Sequence, residues 1–267
     1  MSEPATVQAL LEPVIGLVHE AGEAIMAVYA EDFDVEHKDD RSPLTAADRA
    51  AHGILDAGLV ALAGGYPVLS EESAHIPWET RRGWRTYWLV DPLDGTREFV
   101  KRNGEFTVNV ALIDDDRPVL GVVYAPALGY LAYAAAGCGA FRRAANGQDI
   151  ALSTRPQSAG PLRVAASRSH LDERTLALLE RVGEHERIGL GSSLKFCRIA
   201  EGQIDLYPRF GPTSEWDTAA AQCLLEEAGG AVIKVDGEPL RYNTKDSLLN
   251  TDFLALASRD LPWRNWV

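Results

Sequence analysis

Apolar residues recur at helical spacing through the N-terminal region: Val7, Leu10, Leu11, Val14, Leu17, Val18, Ala21 and Ile25. Positions three and four apart fall on one helix face, so the stretch 5–30 predicts an amphipathic helix. Pro13 either bends it or marks a helix start. The following segment, EDFDVEHKDDRSP (31–43), is charged and aperiodic and predicts a loop or short ribbon. Thr45 opens a second helix, with Asp48 in its first turn and Ile54, Leu55 and Leu59 beyond it. GGYP breaks that helix, and VLSEES reads as a short strand ending in acids.

From 86 to 136 the pattern changes to strands: TYWLV, FTVNVALI, PVLGVVYAP and GYLAYAAA, separated by turn residues. GCGAFRR and NGQDIAL continue as hairpin elements. LSTRPQSAGP (152–161) is rich in Ser, Pro and Gly and sets a subdomain boundary. The chain then divides into 1–155, helices followed by a run of strands, and 156–267, where strand and helix alternate. In the second part LRVAASRS, HERIGLG, IDLYPRF, AVIKV and FLALAS read as strands. The stretch 172–183, SLKFCRIAEG and EWDTAAAQCLLEEAGG read as helices. The fold class is α/β (α+β).

The 267 residues suit one large domain or two intimate subdomains. A formal net charge of -13 argues against general affinity for nucleic-acid polymers or anionic membranes. An anionic ligand then needs local cations or metals to reverse the field. Cys138, Cys197 and Cys223 form no CxxC pair, which points to reduced thiols rather than disulfides or zinc. Cys197 lies in an apolar stretch and reads as a small buried hydrophobe. The six histidines make no HxH or HExxH cluster, so a histidine metal site is not expected. The N-terminus has no basic region or cleavage site of a signal peptide, and no apolar run reaches transmembrane length.

Acidic residues gather at element ends: Glu71 and Glu72 after VLS, Asp91 and Asp94 after WLV, and Asp48 and Asp217 near helix starts. Taken singly, the helix dipole explains Asp48 and Asp217, and a lone DxxD is common in turns. Together, Asp91 and Asp94 are harder to dismiss. Pro92 opposes a simple continuation of the ladder, so a turn there is expected, placing both carboxylates on one side. Hard oxygen ligands suit Mg2+, with the Leu93 carbonyl as a further donor. Two such ions make a phosphoryl-transfer site. Gly95-Thr96, leading into a helix, offers free backbone N–H groups to a phosphate. The Thr96 hydroxyl orients water if a base such as Asp48 takes its hydrogen bond.

Four blocks, SPLTAAD, LSEES, DPLDGTREF and SEWDTAAAQ, resemble in order and spacing the inositol-monophosphatase-like, lithium-sensitive, magnesium-dependent phosphatases. The resemblance covers about residues 5–257. KRNGEFTVNVALI, LGVVYAPALG, SLLN and the long block GSSLKFCRIAEGQIDLYPRFGPTSEWDTAAA are similar to one branch of that family, the bacterial CysQ-type 3′(2′),5′-bisphosphate nucleotidases.

The resemblance implies a layered αβαβα sandwich whose N-terminal part carries most metal ligands. It implies a phosphatase taking the 3′-phosphate from adenosine 3′,5′-bisphosphate to give AMP, with 3′-phosphoadenylyl sulfate as a second substrate. Glu71, Asp91 and the Leu93 carbonyl would hold one magnesium. Asp91 would bridge to a second completed by Asp94 and Asp217, and Glu71 would reach a third, weaker ion through water. Asp48 with Thr96 would aim the nucleophilic water, and the Gly95 and Thr96 amides would hold phosphate. Through these ligands the substrate envelope takes in Glu71, Leu93, Asp94 and Asp217, and beyond them Ser192, Ser193, Lys195 and Arg209. The branch is cytosolic, in some cases loosely attached to the inner membrane face; the acid excess here gives no electrostatic reason for attachment. Monomers and dimers both occur in the family, which leaves a homodimer open.

Bland readings stand beside these. Lys195 alone reads as a solvated lysine, and Tyr207 and Phe210 as core aromatics or as a stack for adenine. KRNGE (101–105) either attracts an anionic substrate or covers a loop. Glu215 has no assigned role. The competing functions are an inositol or sugar phosphatase on the same fold and a non-catalytic metal- or nucleotide-binding regulator.

Overall fold

The computed structural model describes residues 4–31, 43–62, 64–155, 160–166 and 172–267. Five layers follow from which face each element buries. Helices α1 (Pro4–Gln8), α2 (Leu11–Tyr29) and α3 (Pro43–Ala61) come first. Pro13 sits in the first turn of α2, where a missing N–H costs nothing, so it marks a helix start rather than a bend. Buried Val14, Val18, Ala21 and Ile25 of α2 face buried Ala47, Ala51, Leu55 and Leu59 of α3. The spacing of four along α3 makes a narrow stripe and leaves Asp48 beside it, at the rim. That helix begins two residues before the Thr45 expected from the sequence. Most of the charged segment 31–43, with His37, lies outside the described residues.

A seven-stranded sheet runs in sequence order: β1 (Val68–Ser70), β2 (Thr86–Asp94), β3 (Thr107–Asp114), β4 (Arg117–Ala125), β5 (Tyr130–Ala135), β6 (Gly139–Arg143) and β7 (Asp149–Ala151). Only the β1–β2 pair is parallel. The short helix α4 (Trp78–Arg81) lies in their connection, and α5 (Thr96–Val100) follows β2. Along β3, Val108, Val110 and Leu112 join the core under α2 and α3, while Ala111 and Ile113 join the opposite core. Period two thus loads both faces of the sheet.

The second core is closed by α7 (Leu194–Ala200) and α8 (Ala219–Glu227), which lie between this sheet and a five-stranded one. The latter has the order β11-β12-β10-β8-β9, from β8 (Leu162–Ala166), β9 (His185–Gly189), β10 (Leu206–Arg209), β11 (Ala231–Lys234) and β12 (Phe253–Leu256). Its outer face is covered by α6 (Glu173–Val182) and the C-terminal Leu261, Trp263 and Trp266. This is the αβαβα sandwich expected from the sequence, and the chain is a mixed α/β protein with two sheets. One hydrophobic cluster contains Leu89 and Val123 from the first sheet and Tyr207 and Phe253 from the second. The expected boundary at 155/156 abuts residues 156–159, and the end of the strand expected over LRVAASRS falls at 167–169; both stretches lie outside the described residues.

Helix α8 approaches β4 closely because Gly121 has no side chain. A Cβ there would stand 2.2 Å from the carbonyl oxygen of Ala220, which is backbone and cannot rotate away. Gly121→Ala should therefore lower stability by about 1–3 kcal/mol, the usual cost of overpacking. A urea midpoint equal to that of the parent protein would contradict this contact.

Candidate active site

Asp91 and Asp94 lie three residues apart on β2, a spacing that puts side chains on opposite faces of a regular strand. They share a face because the strand carries a bulge. Asp91 pairs with Asn109 and Asp94 with Thr107, so three steps on β2 match two on β3. Cross-strand partners point the same way, and Thr107 and Asn109, two apart, share a face. The chain therefore does not turn at Pro92, as the sequence suggested; β2 runs on to Asp94, with Pro92 accommodated in the bulge. The Leu93 N–H donates to Asp91 Oδ1 at 3.0 Å and pins the irregularity, while the Leu93 side chain is buried under α2 and α3.

Glu71 reaches the same place through register. The parallel pair ends with Ser70 opposite Val90, so the 3-10 turn Glu71–Ser73 begins beside Asp91. Asp48, on α3, hydrogen-bonds with Glu72. The Asp48–Thr96 bond expected from the sequence is not made among the described residues: Asp48 Oδ1 is buried with no hydrogen-bond partner. Asp217 ends a 3-10 turn, Glu215–Asp217, just before α8, and its Oδ2 accepts the Ser214 N–H at 2.9 Å.

Gly95 adopts φ 91°, ψ 47° at the start of α5, a left-handed conformation that suits glycine. A Cβ there would come within 3.2 Å of the Glu105 carbonyl and 3.3 Å of Ser192 Cβ. Ser193 is buried: its N–H donates to Asp94 Oδ2 at 2.7 Å, and its hydroxyl donates to Asn109 Oδ1 at 2.7 Å and meets the Thr107 hydroxyl at 2.8 Å. It therefore holds Asp94 from within the protein and does not line the cleft described below. Lys195 is also buried, not solvated. Its Nζ donates to the Ser192 carbonyl at 2.8 Å and stands 5.2 Å from the centre of the Tyr207 ring.

These acids strain one another electrostatically. Burial pushes Asp91 well above the ordinary carboxylate range, and Asp94, Glu71, Asp217 and Asp48 all push it further. Burial and Asp217 raise Asp94 to about 7, against the pull of Lys195 and the Ser193 amide. Asp48 rises to about 8 through burial and then Glu72 and Glu71; Asp217 rises to about 6, chiefly through burial. Glu71 is raised by burial and then by Asp94 and Glu72. Lys195 is lowered to about 8 by burial, although Asp94 opposes the shift. Among the described residues no three His, Cys, Asp or Glu side chains are arranged as a ready-made metal shell. Asp91, Asp94 and Asp217 each give an oxygen to a backbone N–H instead. The set still fits a hard divalent cation: its donors are all oxygen, its charge is only partly answered by Lys195 and Arg209, and Asp48 keeps a bare buried oxygen.

Beside the acids opens a cleft of about 500 Å3, lined by Asp94, Gly95, Thr96, Ser192, Lys195, Arg209 and Asp217 among the expected residues. Arg209 Nε and Ser192 Oγ are buried without partners. Tyr207 is a core aromatic, packing edge-on to Phe196 and Phe253, and it also lines the cleft. Phe210 lies instead under Arg174, 4.6 Å from its guanidinium carbon. Sequence reasoning missed Arg97 and Glu98 in the cleft, although KRNGE pointed to that loop, and its Lys101 and Asn103 do line it. Thr107 and Asn109 were missed too. Their signal was two polar residues on one face of a buried strand, TVNVALI.

The chain matches the family model described as "Inositol monophosphatase family" over residues 6–261. It is 50% identical over 252 residues to the 3′(2′),5′-bisphosphate nucleotidase CysQ of Salmonella typhimurium, covering 91% of this chain and 98% of that protein. It is 49% identical over 246 residues to the protein of the same name from Escherichia coli K12, with coverage of 91% and 98%. Among solved structures, CysQ from Bacteroides thetaiotaomicron superposes with a TM-score of 0.87 at 41% identity, covering 95% of this chain and 98% of that one. An inositol monophosphatase from Zymomonas mobilis, 23% identical with a TM-score of 0.78 and 94% coverage of both chains, shares the fold.

The raised carboxylates give a pH dependence of definite sign. In the metal-free protein the folded state holds their protons more tightly than the unfolded chain does. Stability is then present in acid and lost as pH rises from the ordinary carboxylate value, 3.8, toward the raised values of about 6 to 8. Without divalent cations the thermal midpoint should fall between about pH 5 and about pH 8, and magnesium should raise it more at the upper end. A metal-free midpoint that climbs across this window, with no response to magnesium, would contradict the assignment.

Proposed function

The chain belongs to the inositol monophosphatase family, and from that premise we propose that it is a magnesium-dependent 3′(2′),5′-bisphosphate nucleotidase. Its substrate is adenosine 3′,5′-bisphosphate, converted to AMP and phosphate, with 3′-phosphoadenylyl sulfate accepted at the same site. One observation carries the reading. The cleft sets Lys195 and Arg209, with Arg97 and Lys101, against the acids Asp94, Glu98 and Asp217. A single phosphate on a neutral sugar ring does not call for so many cations. A second anionic group on the substrate does. The near half-identity to proteins named as bisphosphate nucleotidases supports the same choice over an inositol phosphatase.

Glu71, Asp91, the Leu93 carbonyl, Asp94 and Asp217 would hold two magnesium ions, with a third, weaker one near Glu71. When bound, the ions supply Lewis acidity at the phosphoryl group and at the attacking water. The protein's own residues do the rest. The Gly95 and Thr96 amides bind phosphoryl oxygens, fixing the group for in-line attack. Lys195 and Arg209 bind the second anionic group and orient the ribose. Asp48 takes the proton of the water, directly or through the Thr96 hydroxyl, with Glu72 sharing that proton. A P–O bond forms from water, the P–O bond to the ribose 3′-oxygen breaks, and that oxygen leaves as a hydroxyl with a proton taken from solvent, to which Asp48 then returns its own. Lithium inhibition belongs to the same reading, since a small monovalent cation fits an oxygen-lined ion site.

With magnesium present, adenosine 3′,5′-bisphosphate should be hydrolysed with a kcat/KM about 100-fold or more above that for inositol 1-phosphate, a gap of two charge-assisted contacts. Comparable rates on both would move the assignment to an inositol phosphatase. Asp91→Asn should lower kcat about 1000-fold with the fold intact, as loss of a group acting on the transition state does. Lys195→Met should raise KM for the bisphosphate about 10-fold or more and change hydrolysis of a monophosphate little. Equal loss on both substrates would place Lys195 outside substrate recognition.

A further inference from the structure

Four acids of the site come from α3 (Asp48), the turn after β1 (Glu71) and β2 (Asp91 and Asp94). Asp217 comes from a separate turn ahead of α8, so something must set its distance from β2. The turn contains Glu215, which is 1% exposed and has no part in the chemistry above. The connection between β1 and β2 contains Arg81, which is 2% exposed. Two opposite charges are thus buried on opposite sides of the same joint.

Asn243 bridges them. Its N–H donates to Glu215 Oε2 at 2.8 Å, and its Oδ1 accepts from Arg81 Nη1 at 2.6 Å. Its Nδ2 donates to the Arg81 carbonyl at 2.6 Å. Arg81 also donates to the carbonyls of Lys245 and Asp246. The same loop laces the other side of the turn. The Glu215 N–H donates to the Leu248 carbonyl at 2.9 Å, the Asn250 N–H to the Thr213 carbonyl at 2.8 Å, and Asn250 Nδ2 to the Ser214 carbonyl at 2.7 Å. Ser214 in turn donates its N–H to Asp217 Oδ2. Burial lifts the Glu215 carboxyl to about 7, against the Asn243 amide, Lys245 and Arg81. Packing alone is achieved more cheaply by apolar residues, since each buried charge is costly to desolvate. What this network adds is a fixed direction and length.

We propose that Arg81, Asn243 and Glu215 are positioning residues that hold Asp217 in register with Asp91 and Asp94 for divalent-cation binding. The proposal rests on Asp217 being a metal ligand, as argued above. Its test is magnesium titrated calorimetrically into the metal-free protein, alongside steady-state kinetics. Glu215→Leu keeps the buried volume and removes the acceptor. Asn243→Gly removes only the side-chain bridge, and glycine adopts the left-handed φ of 51° found there without strain. Both variants should bind magnesium about 10-fold or more weakly, the usual effect of losing a ligand's support. Their near-UV circular dichroism and their KM for nucleotide at saturating magnesium should stay close to the parent values. Glu215→Gln, which retains an acceptor oxygen for the Asn243 amide, should recover most of the affinity. If Glu215→Leu does not fold, Asn243→Gly decides. Unchanged magnesium affinity in a folded variant overturns the proposal alone. A parent protein that takes up no magnesium overturns the metal-site reading and this proposal with it.

Discussion

Asp91 is a carboxylate with 1% of its surface exposed, inside a buried strand just before its bulge, with four other acids acting on it. An isolated buried charge is too costly to keep, so the group is either protonated or answered by positive charge. Much of the surrounding structure makes sense as the means of holding that conflict in place. The bulge in β2 turns Asp94 onto the face of Asp91, and the parallel register of β1 brings in Glu71. The buried network of Ser193, Thr107 and Asn109 fixes Asp94 from behind, and the Ser214 amide fixes Asp217. Each of these devices spends backbone or side-chain hydrogen bonds to hold like charges together. Such an arrangement is stable at neutral pH when a cation is there to answer it.

The cleft beside the acids has the opposite character. Lys195 is buried with its ammonium group bonded to a carbonyl, and Arg209 keeps a bare Nε. Acids that call for cations and bases that call for anions thus stand a few side chains apart. On the function proposed above, a phosphorylated ligand with its metals would join the two, Lys195 and Arg209 answering its remaining anionic group. A chain with a net charge of -13 has no general attraction for anions, so this local reversal is what allows it to recognise one.

The layers were legible in the sequence because each rests on a single period. Helical spacing of Val14, Val18 and Ile25 gave α2, and alternation in TVNVALI gave β3 with a core on either side. The acids were legible as ends of elements. What the sequence could not show was how Asp91 and Asp94 come to share a face, because a bulge depends on the register of a neighbouring strand. Pro92 suggested a turn, and a bulge in β2 itself instead absorbs the extra residue. The direct Asp48–Thr96 hydrogen bond is missing for a related reason: Glu72, a neighbour in space, is the group that hydrogen-bonds Asp48. Lys195 looked solvated and Ser193 looked like part of the cleft wall because a single helix start carries no sign of what will cover it. Glu215, Arg81 and Asn243 are far apart in sequence, and only the folded chain reveals that they meet.

The central claim is that the converging carboxylates exist to hold divalent cations at the mouth of β2. Anomalous diffraction from crystals equilibrated with Mn2+, a hard cation with the same oxygen preference as Mg2+, tests it most directly. The account predicts strong anomalous peaks within coordinating distance of Asp91, flanked by Glu71, Asp94 and Asp217. Peaks confined to other acidic surfaces, with none near Asp91, would contradict it.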